Sequence, residues 1–167
     1  MTCGWSHAVA RGVDVDGNLV FYGWGRRDMR QYLTEEGETL RQGEVSSEKG
    51  NLLLNGLFSF VDSAGPTWRL KALPSPAQMV EVWCGSEFTV AADHTGRLWG
   101  CGWGEHGNLT SSASLSGHAQ GPCEWTLMTN VSCLNQHAES NAIRLSSIWE
   151  GALSCGGSHV VAIVTDE

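Results

Sequence analysis

The chain has 167 residues, enough for one domain with a sizeable core, and its 41% apolar content suits a globular protein. No uninterrupted apolar run approaches a bilayer-spanning length, and no basic-then-apolar leader opens the sequence, so the membrane and secreted classes are not expected. The formal charge of -8 is concentrated in residues 81–167, where Arg97 and Arg144 face nine acidic residues; such a half repels a phosphate backbone, excludes a nucleic-acid binder and suits a protein partner with a basic face.

In chain order, the first segment is "TCGWSHAVA" (2–10), a short β-prone run behind a Cys-Gly turn. Asp16-Gly17 then marks a turn, and "NLVFYGWG" reads as the return strand of a hairpin. A polar stretch, "TEEGETLRQGEVSSEKGN" (34–51), reads as a surface excursion, and "NLLLNGLFSFV" (51–61) as a further strand. At 83–91 the opening pattern returns as "WCGSEFTVA", followed by Thr95-Gly96 and "RLWGCGWGEHGNL". A second polar stretch (110–122) and a strand candidate, "WTLMTNVSCL" (125–134), lead to a third copy, "SCGGSHVVA" (154–162). The template is Cys-Gly, two variable residues, a ring, then small and β-branched residues ending in Ala. Its cysteines stand at 3, 84 and 155.

A period of this kind fixes the fold class before any residue-level reading does. Repeated hairpins with glycine and tryptophan in each unit predict an all-β architecture, a partial β-propeller of about three antiparallel blades. The expected organisation is one domain, 1–167, divided into a repeat (1–33), an insertion with connecting strands (34–78), a repeat (79–110), a connecting segment (111–150) and the start of a third repeat (151–167).

Three chemical readings fail on spacing. The string "GCGWG" follows a strand, but no helix pattern follows it to supply free N–H groups for a phosphate. The six cysteines lack the close pairs that structural zinc sites use, so they read as reduced thiols and no metal or cofactor is expected. Ser6-His7 and Ser158-His159 are strand neighbours whose side chains diverge, which opposes a nucleophile–base pair. The expectation is a protein that is not an enzyme, at a cytoplasmic and nuclear address. Asn108 and Asn130 stand in glycosylation acceptor sequences that stay idle without secretion.

Cys3, Gly4, His7, Asp16, Gly17, Trp24 and Gly25, then Cys84, Gly85, Gly96, Trp103, Gly104 and Gly107, then Cys155, Gly156 and His159 resemble the regulator of chromosome condensation repeat. Phe88 stands where that repeat has His, and Arg27 and Arg30 where Asn and Gly are usual. The resemblance implies a seven-bladed propeller of about 350 residues, of which this chain supplies a C-terminal part, as a fragment or a diverged remnant. The strings "VEVWCGSEFTVA" and "GCGWGEHGNL" are similar to a branch of small cytosolic members, the fungal killer-toxin-insensitivity proteins and the animal secretion-regulating exchange factors. That similarity implies an adaptor that binds the small zinc-binding protein of diphthamide synthesis and supports Elongator-dependent tRNA wobble-uridine modification. The family equally implies guanine nucleotide exchange on a small GTPase, and a nonfunctional fragment is the third alternative.

Framework positions repeat between copies, whereas recognition positions vary. Aligning the two Gly-Trp-Gly strings sets Glu105 and His106 against Arg26 and Arg27, chemically opposite pairs in one turn. These four are the expected partner-facing set, with Trp83 and Trp99 as anchors.

Overall fold

The template's glycine and ring belong together. In the computed structural model, which describes residues 1–39, 68–104, 107–109, 124–129, 145 and 152–163, the ring of each copy lies over the glycine three residues before it. A Cβ on Gly4 would sit 2.6 Å from His7 Cε1, and one on Gly85 or Gly156 would overlap the ring of Phe88 or His159. The turn closes through Gly4 N–H donating to the His7 carbonyl (2.8 Å), repeated by Gly85 with Phe88 (2.8 Å) and Gly156 with His159 (2.9 Å).

Eleven strands are present among the described residues, and no helix. β1 (Thr2–Cys3), β2 (His7–Val13), β3 (Leu19–Gly25), β4 (Thr34–Thr39) and β5 (Trp68–Leu70) form the first sheet, in the order β1-β2-β3-β5-β4. The second runs β6 (Met79–Cys84), β7 (Phe88–Asp93), β8 (Leu98–Gly102) and β9 (Thr126–Leu127), and the third pairs β10 (Leu153–Cys155) with β11 (Val160–Ala162). All pairings are antiparallel. The described residues thus form an all-β partial propeller, with three antiparallel sheets among them. Part of the first polar stretch is strand: Thr34 pairs with Leu70 and Thr39 with Trp68 across an irregular register, so β4 closes the outer edge of the first sheet. The strand expected at 51–61 lies outside the described residues, as does 130–134 of the later candidate, whose Thr126–Leu127 forms β9.

Period-two alternation gives each sheet two faces. His7 and Val9 point from the first sheet to the second, where Thr89 and Ala91 point back; Val9, Phe21 and Tyr32 share one core with Val82, Cys84, Ala91 and Cys101. Phe88, Val90 and Ala92 point the other way, into a core with Ala152, Leu153, Val160 and Ala162. β7 is therefore buried at every residue. Each fully buried Val, Leu or Phe in these seams contributes about 1.5–3 kcal/mol.

The return strands need glycine for two reasons. Gly23 and Gly100 leave room for a side chain that folds back: a Cβ there would lie 2.7 Å from the Tyr32 ring or 2.8 Å from Leu109 Cδ2. Gly25 and Gly102, at φ +98° and +100°, pass against the backbone of the opening turn, with a Cβ 2.5 Å from the Ser6 carbonyl oxygen or 2.6 Å from that of Glu87. This corrects the alignment read from sequence. His7 pairs with Gly25 and Phe88 with Gly102, so Gly25 corresponds to Gly102 rather than Gly104. The second hairpin is two residues shorter on each arm, which slides the Gly-Trp-Gly strings out of structural register. The hydrogen bonds agree: Arg26 N–H donates to Ser6 as Trp103 N–H does to Glu87, and Arg30 to Arg27 as Gly107 to Gly104. Arg30 accordingly holds a glycine's place, at φ +54° where Gly107 has +73°.

Both hairpin tips are organised by an aspartate. Asp14 Oδ1 accepts from the Asp16 and Asn18 amides. The buried Asp93 accepts from the Thr95 amide and hydroxyl, the Arg97 amide and Nε, and Trp99 Nε1. Burial pushes the Asp93 carboxyl up, but the Thr95, Trp99 and Arg97 donors outweigh it and hold the group below the usual carboxylate range.

Substitutions at three glycines separate these roles. Gly25→Ala and Gly102→Ala each force a methyl into backbone atoms and are expected to lower stability by more than about 3 kcal/mol. Gly17→Ala, at φ +85° with nothing within 4 Å, meets only the left-handed penalty of about 1–2 kcal/mol. Urea denaturation of the three variants checks the ranking.

Candidate protein-binding face

The three Cys-Gly turns meet at one end of the sheets and are joined in order. Trp5 N–H donates to the Ser86 carbonyl (3.2 Å) and Ser86 N–H to the Gly156 carbonyl (3.2 Å), while the Ser86 hydroxyl donates to the Gly157 carbonyl. The result is a row of backbone whose two variable positions, Trp5-Ser6, Ser86-Glu87 and Gly157-Ser158, face away from the core. Trp5 is 85% exposed.

The turn residue after Trp5, Ser6, belongs to a polar cluster centred on Glu87. Its Oε2 accepts from the Ser6 hydroxyl (3.0 Å) and from Gln31 Nε2 (2.5 Å), and its Oε1 lies 3.6 Å from Arg26. Arg26 also binds Asp28 Oδ2 at 2.5 Å, and Gln31 Nε2 donates to Asp28 Oδ1 at 3.2 Å. The Arg26 and then the Gln31 hydrogen bond hold the Asp28 carboxyl below its ordinary range. Gln31 is fully buried, and its carbonyl accepts from the Thr89 hydroxyl at 2.5 Å. With its proton committed there, Thr89 accepts from His7 Nε2–H at 2.9 Å. His7 is therefore the Nε2–H tautomer, and its buried Nδ1 has no hydrogen-bond partner. Burial pushes the imidazole down to about 4, against the opposing pull of the Glu87 carboxylate and the Ser86 carbonyl.

The residues expected from sequence fall into three groups. Arg26 bridges two sheets through Glu87, and Arg27 lies over the Trp68 ring at 4.1 Å from its centroid, so both are tied within the chain. Trp83 is buried in the core shared with the third sheet, and Trp99 packs on the first core with its N–H spent on Asp93. Neither tryptophan is a surface anchor, because alternation along β6 and β8 turns both inward. Glu105 and His106 lie outside the described residues. Their contrast with Arg26 and Arg27 rested on pairing the two Gly-Trp-Gly strings, which are out of structural register because Gly25 corresponds to Gly102. Sequence reasoning missed Trp5, Ser6, Asp28, Gln31 and Glu87. The signal for Trp5 was present: one variable turn position reads Trp, Ser and Gly across the three copies.

Among the described residues no group of three His, Cys, Asp or Glu converges as a metal would require. Burial pushes the Cys84 and Cys155 thiols up to about 12 and raises Cys101 also, so these cysteines serve as small apolar packing groups. Asn108 is buried with its amide donating to the Trp103 carbonyl, which removes it from an acceptor's surface position. No described helix is long and apolar enough to cross a membrane.

No protein-family model matches the chain, and no curated protein matches it. Solved structures do. Prp20p from Saccharomyces cerevisiae, described with its binding to Gsp1p and histones, is similar over 99% of this chain and 31% of that one, at a TM-score of 0.52 and 18% identity. Yeast RCC1 (Prp20) bound to Kap60 is similar over 96% of this chain and 28% of that one, with a TM-score of 0.51 and 18% identity. The fold is therefore that of an RCC1-type propeller, and the chain spans about a third of the length of the proteins it matches.

The His7 site makes a signed pH prediction. Its imidazole is neutral in the folded chain down to about pH 4, whereas the unfolded chain binds a proton below the ordinary 6.5. The unfolded state binds more protons between those values, so this stability is complete above pH 6.5 and falls as pH drops, by about 3 kcal/mol at pH 4. His7→Phe, which copies Phe88, forgoes the Thr89 bond, worth about 1 kcal/mol. The variant is expected to be less stable at pH 7.5 and more stable than the parent below about pH 5. Paired urea titrations across this range read the crossing.

Proposed function

We propose that the chain is a non-catalytic protein-interaction module whose contact face is the row of Cys-Gly turns, acting as an adaptor in the cytoplasm and nucleus. The observation that carries this reading is Trp5. A tryptophan held almost wholly in water on a hydrogen-bonded turn presents a large apolar area with little ordering entropy left to lose, the character of an interface anchor. Glu87, which accepts from the hydroxyl of the neighbouring turn residue Ser6, and the net negative charge of residues 81–167 favour a partner with a basic contact surface.

The adaptor's partner in this proposal is the small zinc-binding protein linked to diphthamide synthesis and Elongator, supported by the strings around Trp83 and Trp103 that resemble that branch of the family. The likeness of fold to Prp20p, which binds Gsp1p, supports a second reading: recognition of a small GTPase, with regulation or exchange of its nucleotide. Exchange requires displacement of bound nucleotide, so release of a fluorescent guanine nucleotide from small GTPases separates the readings from simple capture of the zinc-binding protein.

Trp5→Ala is the variant to carry through both assays. It removes an exposed side chain, so the melting temperature is expected to stay unchanged, while affinity for the partner falls about 10- to 100-fold, the hot-spot range. Rising salt is expected to slow association with the parent protein. Binding unchanged in Trp5→Ala would remove the turn row from the interface; neither capture nor nucleotide release would remove both partner readings.

A further inference from the structure

Two half-buried tryptophans, Trp68 and Trp99, are each covered by a guanidinium of the chain. Arg27 stands 4.1 Å from the Trp68 ring centroid, and Arg97 stands 5.9 Å from that of Trp99. At Trp99 an acid completes the arrangement, because Asp93 accepts from Trp99 Nε1 (3.1 Å) and from Arg97 Nε (3.0 Å). The cation lies over the negative face of the ring while the carboxylate holds both partners. Trp5 differs. Among the described residues no cation stands over its indole and no acceptor takes its Nε1–H, although the ring is almost wholly in water. Its outward direction belongs to the turn itself: the matching Ser86 has a turn on each side and is still partly exposed. An acid is at hand here too. Glu87 Oε2 accepts from the hydroxyl of Ser6, the residue after Trp5, at 3.0 Å. Oε1 meets Arg26 at 3.6 Å, longer than a hydrogen bond, and the side chain is half-buried rather than sealed in the core.

We propose that the turn row receives an arginine side chain of its protein partner, with the guanidinium over the Trp5 indole and Glu87 as its counter-charge. The inference rests on the reading of the turn row as the contact face and adds to it the kind of side chain that face takes. Ring and acid are supplied by this chain, as they are at Trp99 and Asp93, and the cation is the part that comes from outside. The charge of residues 81–167, where Arg97 and Arg144 stand against nine acidic residues, favours the same occupant. Lysine suits the place less well. Its ammonium is compact and strongly hydrated, whereas a guanidinium is planar, sheds water more readily and stacks on an indole. A purely apolar side chain would cover Trp5 but leave the Glu87 carboxylate without a new partner.

Nuclear magnetic resonance on the 167-residue chain tests this with three acetylated, amidated peptides of the form Gly-X-Gly-X-Gly. X is arginine, lysine or citrulline, the neutral isostere of arginine. The Trp5 indole N–H signal is identified by its loss in Trp5→Leu, which keeps an apolar side chain and removes the ring. Because the position is exposed, the melting temperature of that variant should match the parent. The arginine peptide is expected to shift the Trp5 indole signal. The lysine peptide should bind about threefold more weakly and the citrulline peptide about tenfold more weakly. Trp5→Leu should bind the arginine peptide about tenfold more weakly than the parent, read from the Ser6 and Glu87 amide signals, whereas a merely apolar contact would survive the change. Three results overturn the inference: citrulline binding as tightly as arginine, Trp5→Leu binding arginine as the parent does, or a Trp5 signal unmoved by about 10 mM arginine peptide. In each case the effect of Trp5→Ala on partner capture still decides by itself whether the turn row is the contact face.

Discussion

A ring lying on a glycine three residues earlier is the contact from which the rest of this structure follows. The glycine has no Cβ because the ring occupies that space, and the ring is held there by the amide-to-carbonyl bond that closes the turn. With the ring fixed at the start of β2, β7 or β11, the next strand residues alternate in a determined sense. In β2 and β7 the ring and the second residue after it point to the following sheet, and in β7 and β11 the alternate residues point to the preceding one. One local steric fit thus gives the repeat its direction. It also explains why a ring is required but not a particular one: His7 and Phe88 fill the same place, the first answering a hydroxyl in the next sheet and the second packed in an apolar core with Val160.

That direction makes the seams chemically matched rather than uniformly greasy. Between the first and second sheets, His7, Thr89, Gln31 and Glu87 form a chain in which each proton has one destination, and Cys84, Cys101 and Ala91 surround it with apolar contact. A buried network of this kind stabilises only when complete, since a lost partner leaves a desolvated polar group behind. Its single unpaired atom, His7 Nδ1, is the place where the seam meets the proton, and the burial that depresses the imidazole makes acid a threat to this seam before the apolar one.

The sequence displayed the fold more clearly than the site, for a physical reason. Cys-Gly-x-x-ring is dictated by a contact within five residues, so it survives in each copy and declares the repeat by itself. Gly23, Gly25, Gly100 and Gly102 were equally visible, but their register was not. It depends on hairpin length, and the two-residue difference in each arm is absorbed at tips where Asp14 and Asp93 organise turns of the same kind. Aligning like letters therefore paired Gly25 with Gly104, and from that slip came the apparent contrast of Arg26-Arg27 with Glu105-His106. Trp83 and Trp99 failed as anchors for a related reason: whether a strand tryptophan faces in or out is decided by one step of register, which composition does not reveal.

The same logic indicates where this scaffold can change without losing its fold. A position that contacts its own turn or the next sheet is constrained from two sides, and the copies agree there on small, cysteine or ring residues. The two positions between glycine and ring contribute backbone to the row of turns and direct their side chains outward, so they carry Trp, Ser and Gly in one place and Ser, Glu and Ser in the other. Glu87 shows the limit of that freedom, because it has been drawn into the seam by Ser6, Gln31 and Arg26. Trp5 has not, and its indole gains nothing for the fold that a smaller residue would forfeit. Among the described tryptophans Trp5 alone is kept in water, on a rigid turn, whereas Trp83, Trp99 and Trp125 are spent inside the blades.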